Sequence, residues 1–242
     1  MVRERPSPRL TVLLASDAPV GVVFLRARSK LFRIVVWDRT TDTFNPGPWF
    51  RGKIYPDRSD VSPDGRHLIY FAMAGVAWAV PATGGTWTAI SRLPSLTATA
   101  LWGQGDTWGG GGVFTSNDSF WLEADANTSL IRDNSGLRRE ASPPAKSRLD
   151  RDGWDNKGTH FEKTIGSNWT LQRLGQSGGY VLERFGECNL DCSAWEWADV
   201  DRGRLVWAER GCLRTAALQP QGPGVVNTLH DFNLPFGPTL GT

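Results

Sequence analysis

The feature that most constrains the fold is a turn followed directly by a strand, Asp60-Val-Ser-Pro-Asp-Gly-Arg-His-Leu-Ile-Tyr-Phe-Ala72. Pro63 fixes one turn dihedral angle, and Asp64-Gly65 supplies a polar cap and a residue that tolerates positive φ. The β-branched and aromatic run from His67 to Ala72 predicts a strand. The segment therefore predicts the opening of one unit in a repeated all-β architecture, and by itself it indicates no chemistry.

The rest of the chain has the same character. Helical periodicity is nearly absent, and strand-like runs are separated by Gly, Pro, Asp and Asn. The 27 Gly, 15 Pro and 12 Trp residues favour short strands, tight turns and large rigid side chains between sheets. Among the predicted strands are Val76–Val80 and Ser193–Ala198, the latter followed by a predicted turn at Asp199–Gly203.

Internal similarity supports a repeat. The run from Asp64 to Ala72 aligns with Arg202 to Ala208, since both have a turn glycine, a basic residue and an alternating apolar and aromatic segment that ends in Ala. Comparable units begin near residues 11, 57, 96, 155 and 195, mostly at the spacing of about 40 residues that propeller repeats show. Residues 134–158, rich in Pro, Ser, Arg and Asp, predict an extended loop.

The segment from Asp60 to Ala72 resembles the start of a WD40-like repeat of the TolB type, in which a Ser-Pro-Asp-Gly turn precedes the second strand of a blade. The Trp-Asp dipeptide of WD40 repeats occurs at Trp37-Asp38. The resemblance implies a β-propeller, a fold that hosts binding, scaffolding and catalysis. We therefore expect an all-β single domain over residues 1–242, a propeller of five small antiparallel blades, with Leu10–Leu14 as the outer strand of the last blade.

Charge, apolar runs and cysteine number limit the classes of partner that we expect for this protein. The net charge of +2 gives no electrostatic reason for nucleic acid to be the main ligand. No run approaches the roughly 18 apolar residues of a membrane helix, and Leu10–Ala15 is shorter than a secretory core of about 7–15 residues. With three cysteines, an odd and small number, we expect a cytoplasmic protein without a membrane partner.

Two segments are candidate binding sites. The glycine-rich run Gly103–Gly112 lacks the Gly-Lys-Ser/Thr of a phosphate loop. Its glycines either permit close backbone approach or form a rim on which Asp106 and Trp108 meet a ligand. Trp195 and Trp197 are predicted on one face of a strand, where they either pack between sheets or form an exposed pair that binds a protein or a sugar.

Metal and catalytic sites are less favoured. Cys188, Cys192 and Cys212 are too few for a structural zinc site, and the acidic segment Asp150–Asn156 has its glycine in the wrong place for an EF-hand. We predict no cofactor and no metal. There is no Gly-x-Ser-x-Gly or His-Glu-x-x-His motif. Four carboxylates remain candidates for an axial cleft: Asp38, Asp60, Asp106 and Glu183.

These observations favour a non-enzymatic interaction module that binds a partner protein or peptide through rim loops. The binding residues predicted are Asp106, Trp108, Trp195 and Trp197, and no catalytic residue is predicted. A carbohydrate-binding or glycoside-cleaving small propeller is the alternative, because the chain is rich in Trp and Asp. A third possibility is a fold stabilised by a metal at the cysteines or at the Asp150–Asn156 segment.

Overall fold

The computed structural model describes residues 6–76, 79–166, 168–175, 179–184 and 188–235. Within these residues the chain is all-β with almost no helix, and its strands form five sheets. The chain divides into two compact units, one made of Val12–Arg148 and the other of Met1–Thr11 with Leu149–Thr242.

Apart from residues 9–11 at the start of the first strand, the first three sheets belong to the unit Val12–Arg148. The first sheet contains, in spatial order, β1 (Arg9–Leu14), β2 (Val20–Arg28), β3 (Leu31–Asp38) and β4 (Thr43–Arg51). The following strands are β5 (Lys53–Val61), β6 (His67–Met73), β7 (Thr86–Arg92), β8 (Ala98–Gly103), β9 (Gly112–Phe114), β10 (Ser119–Leu122), β11 (Ser129–Asp133) and β12 (Arg138–Glu140). They form a five-stranded sheet in the order β11-β8-β7-β6-β5 and a three-stranded sheet in the order β12-β10-β9.

The other unit contains the remaining two sheets. One has the order β13 (Asp155–Asn156), β14 (His160–Ile165), β15 (Trp169–Leu174), β16 (Gly179–Arg184), β17 (Cys188–Cys192). The other consists of β18 (Trp197–Asp201), β19 (Arg204–Glu209), β20 (Cys212–Gln219), β21 (Gly222–Pro223) and β22 (Asn227–Asp231), with β22 also paired to β20. Two short helices complete the described structure, α1 (Ala79–Thr83) and α2 (Arg148–Arg151).

The turn and the strand predicted between Asp60 and Ala72 are confirmed. The Ser62 hydroxyl accepts the His67 N–H at 2.9 Å and donates to an Asp64 carboxylate oxygen at 2.6 Å. Gly65 has a φ of +71°, which closes the turn. Strand β6 follows at once, and all its residues except Met73 are buried.

Sheets pack face to face within the unit Val12–Arg148. Leu68 and Tyr70 of β6 belong to a core that includes Phe24 and Ile34 of the first sheet. Ile69, which points to the opposite face of the strand, belongs to a second core. That core also contains three aromatic residues of β8, β9 and β10: Trp102, Phe114 and Phe120. The five-stranded sheet therefore lies between the first and the third sheets of this unit.

Three local predictions were wrong. The strand β1 pairs with β2 in the first sheet instead of joining the last one, because the short connection closes a hairpin in which Ala15 N–H donates to Val20 O at 2.9 Å. Of the predicted strand 76–80, residues 77–78 lie outside the described residues and the end enters α1. Pro81 has no N–H to donate to a sheet and is tolerated in the first turn of a helix.

The third error concerns the segment before β19. Ser193–Ala198 was predicted as a strand and Asp199–Gly203 as a turn, whereas the strand β18 runs to Asp201. The two aspartates of this strand have cationic partners, since Asp199 lies 2.6 Å from the Lys163 ammonium and Asp201 lies 3.1 Å from the Arg204 guanidinium. Carboxylates that are paired with cations can occupy a buried strand. The segment therefore has the aspartate-rich composition of a turn although it forms a strand.

The predicted extended loop at residues 134–158 contains three short elements: β12, α2 and β13. Strand β12 pairs in parallel with β10, and β13 pairs antiparallel with β14.

Candidate functional site

The segment that joins β8 to β9, residues 104–111, is called the Trp108 loop below. The Trp108 side chain is 89% exposed, more than any other large apolar side chain in the described part of the chain. Burying an indole contributes strongly to stability or to binding. An indole that the fold leaves in solvent is therefore available to a partner.

Arg58 of β5 fixes the middle of the Trp108 loop. Its Nη1 donates to the carbonyl oxygens of Thr107 at 2.9 Å and Gly109 at 2.8 Å, and its Nη2 donates to Trp108 O at 3.3 Å. The guanidinium carbon also lies 5.1 Å from the centre of the Phe71 ring, a cation–π distance. One planar guanidinium thus binds the carbonyl oxygens of three successive residues, a geometry that arginine provides and lysine does not.

Buried polar side chains hold the two ends of the Trp108 loop. Gln104 is fully buried, and its amide nitrogen donates to Thr88 Oγ1 at 3.1 Å. The same hydroxyl accepts the Gly111 N–H at 2.8 Å. Thr128 Oγ1 donates to Gln104 Oε1 at 2.6 Å. These bonds satisfy polar groups in a buried site, so the loop has a defined conformation at both ends.

The glycines of this loop allow a close approach of the backbone to its neighbours. Gly110 and Gly111 have φ values of +97° and +102°. A Cβ atom at Gly110 would lie 2.5 Å from the Phe71 ring, and one at Gly111 would lie 2.4 Å from Arg58 O. The close-approach explanation of the glycines is thus confirmed at these two positions, and the loop that they support presents Trp108 to solvent.

Asp106 lies beside Trp108 and is held by two donors. Its Oδ1 accepts the Trp108 N–H at 3.0 Å, and its Oδ2 accepts the Asn127 side-chain amide at 2.9 Å. These hydrogen bonds, with a smaller contribution from the charge of Arg58, lower the pKa of Asp106 below its ordinary value. Asn127 N–H in turn donates to Asp125 Oδ1 at 2.8 Å. Two carboxylates therefore flank Asn127 next to the exposed indole.

The predicted pair Trp195 and Trp197 lies in the other unit, so the structure describes it separately from Asp106 and Trp108. Trp197 begins β18 and is 8% exposed. Trp195 precedes that strand and stacks on Trp207, with 4.9 Å between ring centres and an interplanar angle of 20°. Trp197 thus offers little surface to a partner, and half-buried Trp195 stays a predicted contact.

The other candidate carboxylates have local structural partners. Asp38 Oδ1 accepts the Thr40 N–H at 2.8 Å in a turn. Asp60 is 1% exposed, and its Oδ2 accepts the Phe114 N–H at 2.8 Å. In the other unit, Glu183 Oε2 accepts the Gln172 amide at 2.7 Å. Each of these bonds joins neighbouring backbone or strands, and none of them points to catalysis.

Metal ligation has no support among the residues that the structure describes, where no group of three or more His, Cys, Asp and Glu side chains is placed to hold an ion. Cys212 is a free thiol, and the Cys192 thiol donates to Leu190 O at 3.5 Å. Burial, followed by the charge of Asp231, raises the pKa of Cys212. The side chain of Cys188 lies outside the described residues. The Asp150–Asn156 segment contributes to α2 and β13.

Of the residues that form the Trp108 loop and its supports, Arg58, Gln104 and Asn127 were not predicted. Arg58 is separated from Trp108 by 50 positions, and no spacing in the sequence relates the two. Gln104 is an uncharged polar residue at the end of a strand, which is compatible with an exposed position as well as a buried one. In the described ranges, no helix is long and apolar enough to cross a bilayer.

Comparisons with known proteins assign no family to this chain. No protein-family model matches the sequence, and no curated protein matches it. Similar solved structures include an uncharacterised protein from Listeria monocytogenes EGD-e, with 12% identity and a TM-score of 0.34 over 89% of this chain and 63% of that chain. They also include an acylaminoacyl peptidase from Pyrococcus horikoshii, with 12% identity and a TM-score of 0.31 over 93% of this chain and 45% of that chain.

This chain therefore spans less than two thirds of the length of either of those structures. A likeness at this level assigns neither a fold family nor a function to it.

Proposed function

We propose that this protein is a non-enzymatic interaction module that binds a partner protein or peptide, with Trp108 as the central contact. The observation that carries the proposal is an indole with 89% exposure on an ordered loop. The Arg58 guanidinium binds the carbonyls in the middle of this loop, and the Thr88 hydroxyl binds its end at Gly111. Tryptophan is enriched among the residues that dominate binding energy. A loop that is already ordered avoids much of the entropy cost of binding.

We further propose that the five sheets are the blades of a small β-propeller with WD40-like repeats of the TolB type, and that the Trp108 loop belongs to its rim. Three features support this proposal: the number of sheets, their strand content and the face-to-face packing of three successive sheets in Val12–Arg148. The loop also leads from the sheet that contains β8 to the next sheet, which begins with β9, and such connections form propeller rims.

The partner class follows from charge. A net charge of +2 is too small to favour nucleic acid, and the carboxylates of Asp106 and Asp125 lie at or next to the loop that carries the exposed indole. We therefore propose a protein or peptide partner. The cytoplasmic location expected from the three cysteines stays a prediction.

The proposal is tested by affinity capture from the native host, with the wild-type chain and two variants as baits. Trp108→Ala removes the proposed contact. Trp49→Ala is the matched control, because Trp49 is also exposed, at 48%, but lies on β4. We expect a partner that the wild-type and Trp49→Ala baits retain and that Trp108→Ala loses. Equal capture by all three baits would contradict the proposal.

A carbohydrate ligand is the second candidate, because the exposed indole belongs to a residue whose backbone N–H donates to the Asp106 carboxylate, which also accepts the Asn127 amide. Aromatic faces with adjacent hydrogen-bonding groups suit sugar rings. Asp106 is unsuited to donate a proton, since a glycosidase acid needs a raised pKa and the pKa of Asp106 is lowered. A glycan array and a screen on aryl glycosides decide the matter: binding that depends on Trp108 favours a lectin, and turnover would overturn the non-enzymatic proposal.

A further inference from the structure

Strand β11 is an open edge of the five-stranded sheet. It is the outermost strand in the order β11-β8-β7-β6-β5, and all five of its residues are exposed. Leu130 and Ile131 are 62% and 41% exposed. An edge strand presents unpaired backbone N–H and C=O groups. The pairing of β11 with β8 shifts register between Leu130 and Arg132, so Ile131 lies at a bulge and Leu130 is the apolar side chain against which an added strand would pack.

The Trp108 loop and β11 form one continuous surface. Ser129, the first residue of β11, pairs with Gly103, which directly precedes the loop. Immediately before β11, the turn contacts the loop twice. Thr128 Oγ1 donates to Gln104 Oε1 at 2.6 Å, and Asn127 donates to Asp106 at 2.9 Å. A peptide lying along β11 would therefore reach the indole of Trp108 at one end.

The charges of this surface differ along its length. Near Trp108 lie the carboxylates of Asp106 and Asp125, and Arg58 directs its guanidinium to backbone carbonyls of the loop. Near the other end of β11, Arg132 donates to Ala98 O at 2.6 Å. The end beside the indole is thus anionic and aromatic, which together favour a cation.

We propose that the partner contributes an extended peptide segment that pairs its backbone with β11 and places a Lys or Arg side chain against Trp108 and Asp106. This proposal rests on the proposed function and specifies its ligand. Backbone pairing supplies affinity that is independent of sequence, while side chains at alternate positions supply specificity. Apolar residues of the peptide would pack beside Leu130.

An array of random octapeptides, probed with the full-length chain, tests the proposal. We expect the bound peptides to be enriched in β-branched residues at alternate positions, with Lys or Arg towards one end. Trp108→Ala and Leu130→Lys should each weaken binding of a selected peptide by about tenfold or more. Trp49→Ala should leave binding unchanged. Added salt should weaken binding, because the cationic contact is exposed.

N-methylation of the selected peptide gives a readout that needs no protein variant. Methyl groups at every second backbone nitrogen should abolish binding, and those at the intervening positions should be tolerated, because alternate N–H groups face β11. Binding that depends on Trp108 but is indifferent to N-methylation would overturn the strand pairing and leave the proposed function intact.

Three further results would overturn the proposal. Selected peptides without a basic residue contradict the cationic contact, and an array without any bound peptide contradicts a linear ligand. A dimer that Leu130→Lys dissolves, seen by light scattering, would assign the edge to a second copy of the chain.

Discussion

At the scale of single residues, Trp108 differs from the other large aromatic side chains in its exposure and in how its backbone is held. Trp37 and Trp102 are fully or almost fully buried, and their indoles contribute to the core. Single exposed apolar residues are ordinary on protein surfaces. Trp108 is distinguished by the bonds that Arg58 makes to the carbonyls of residues 107–109, which fix the backbone that carries the indole.

Trp108→Ala should change the free energy of unfolding by less than about 0.5 kcal/mol, because the removed ring buries little surface. Trp102→Ala, at 2% exposure, should cost about 3–5 kcal/mol. Guanidinium unfolding of both variants measures the difference. A Trp108→Ala variant as unstable as Trp102→Ala would show that the indole is structural.

The pH dependence of Asp106 has a predictable sign. Hydrogen bonds from Trp108 N–H and Asn127 hold its pKa below 3.8 in the folded state. The ionised carboxylate therefore contributes stability that is fully present above pH 3.8 and is lost as the pH falls through the folded pKa. We expect the unfolding free energies of the wild type and Asp106→Asn to differ at neutral pH and to converge in acid. An NMR titration that places the Asp106 pKa at or above 3.8 would contradict this account.

At this scale the sequence singled out Asp106 and Trp108 but not the residues that support them. Asp106 and Trp108 stand out because they interrupt a glycine-rich run. Arg58 resembles any other basic residue of a strand, since its partners are backbone carbonyls, which have no sequence signature. The local sequence around Trp195 and Trp197 is compatible with an exposed aromatic pair. The burial of Trp197 depends on the sheets around it, which the local sequence does not reveal.

At the scale of elements, the Trp108 loop has a shape that only glycine permits at Gly111. Gly111→Ala would force a Cβ to within 2.4 Å of Arg58 O at a φ of +102°. We expect a loss of about 2 kcal/mol or more, together with weaker partner binding. Gly136→Ala is the matched control, because Gly136 has a φ of +71° and open space around it. It should cost about 1 kcal/mol. Equal losses in denaturant unfolding would contradict the steric argument.

Arg58→Lys tests whether bracing of the loop matters for binding. Lysine keeps the charge but cannot bond three carbonyls in one plane. We expect partner affinity to fall by about tenfold, since the loop must then be ordered on binding. Arg66→Lys, at a side chain that is 80% exposed, should have no effect. Calorimetric titration with a captured partner or selected peptide measures both. Unchanged affinity in Arg58→Lys would show that the loop needs no brace.

Strand positions were largely predictable, and the exceptions have physical causes. The β-branched and aromatic run, with the turn residues before it, located β6 correctly. The helix α1 contains Pro81, which interrupts an apolar run that otherwise resembles a strand. The strand β18 contains two aspartates whose cationic partners lie on β14 and β19. Local composition cannot reveal partners that distant strands supply.

At the scale of the whole molecule, the five units expected from the sequence equal the number of sheets, but the unit expected near residue 96 begins with β8, which belongs to the second sheet. The spacing does not predict whether the sheets close into a ring. Each sheet is built mainly from consecutive strands, so local signals suffice to define it. Closure depends on contacts between residues far apart in the chain, for which a single sequence offers no pattern. The division into Val12–Arg148 and the remainder gives this question a direct test.

A closed propeller should unfold in a single cooperative step, because the loss of any one blade opens the ring and removes a packing neighbour from the two blades beside it. Pulse-labelling hydrogen exchange along a guanidinium titration resolves the two units separately. Peptides from β2–β3 and from β19–β20 should lose protection at the same guanidinium concentration. Two separate midpoints would show that the units are independent and would contradict the propeller.

The affinity of Trp108→Ala for a partner captured by the wild-type chain tests the central claim most directly. We expect the dissociation constant to rise about thirtyfold or more, the effect of losing a dominant contact of 2 kcal/mol or more, while Trp49→Ala stays within about twofold. A Trp108→Ala variant that is folded and binds its partner as tightly as the wild type would contradict the claim.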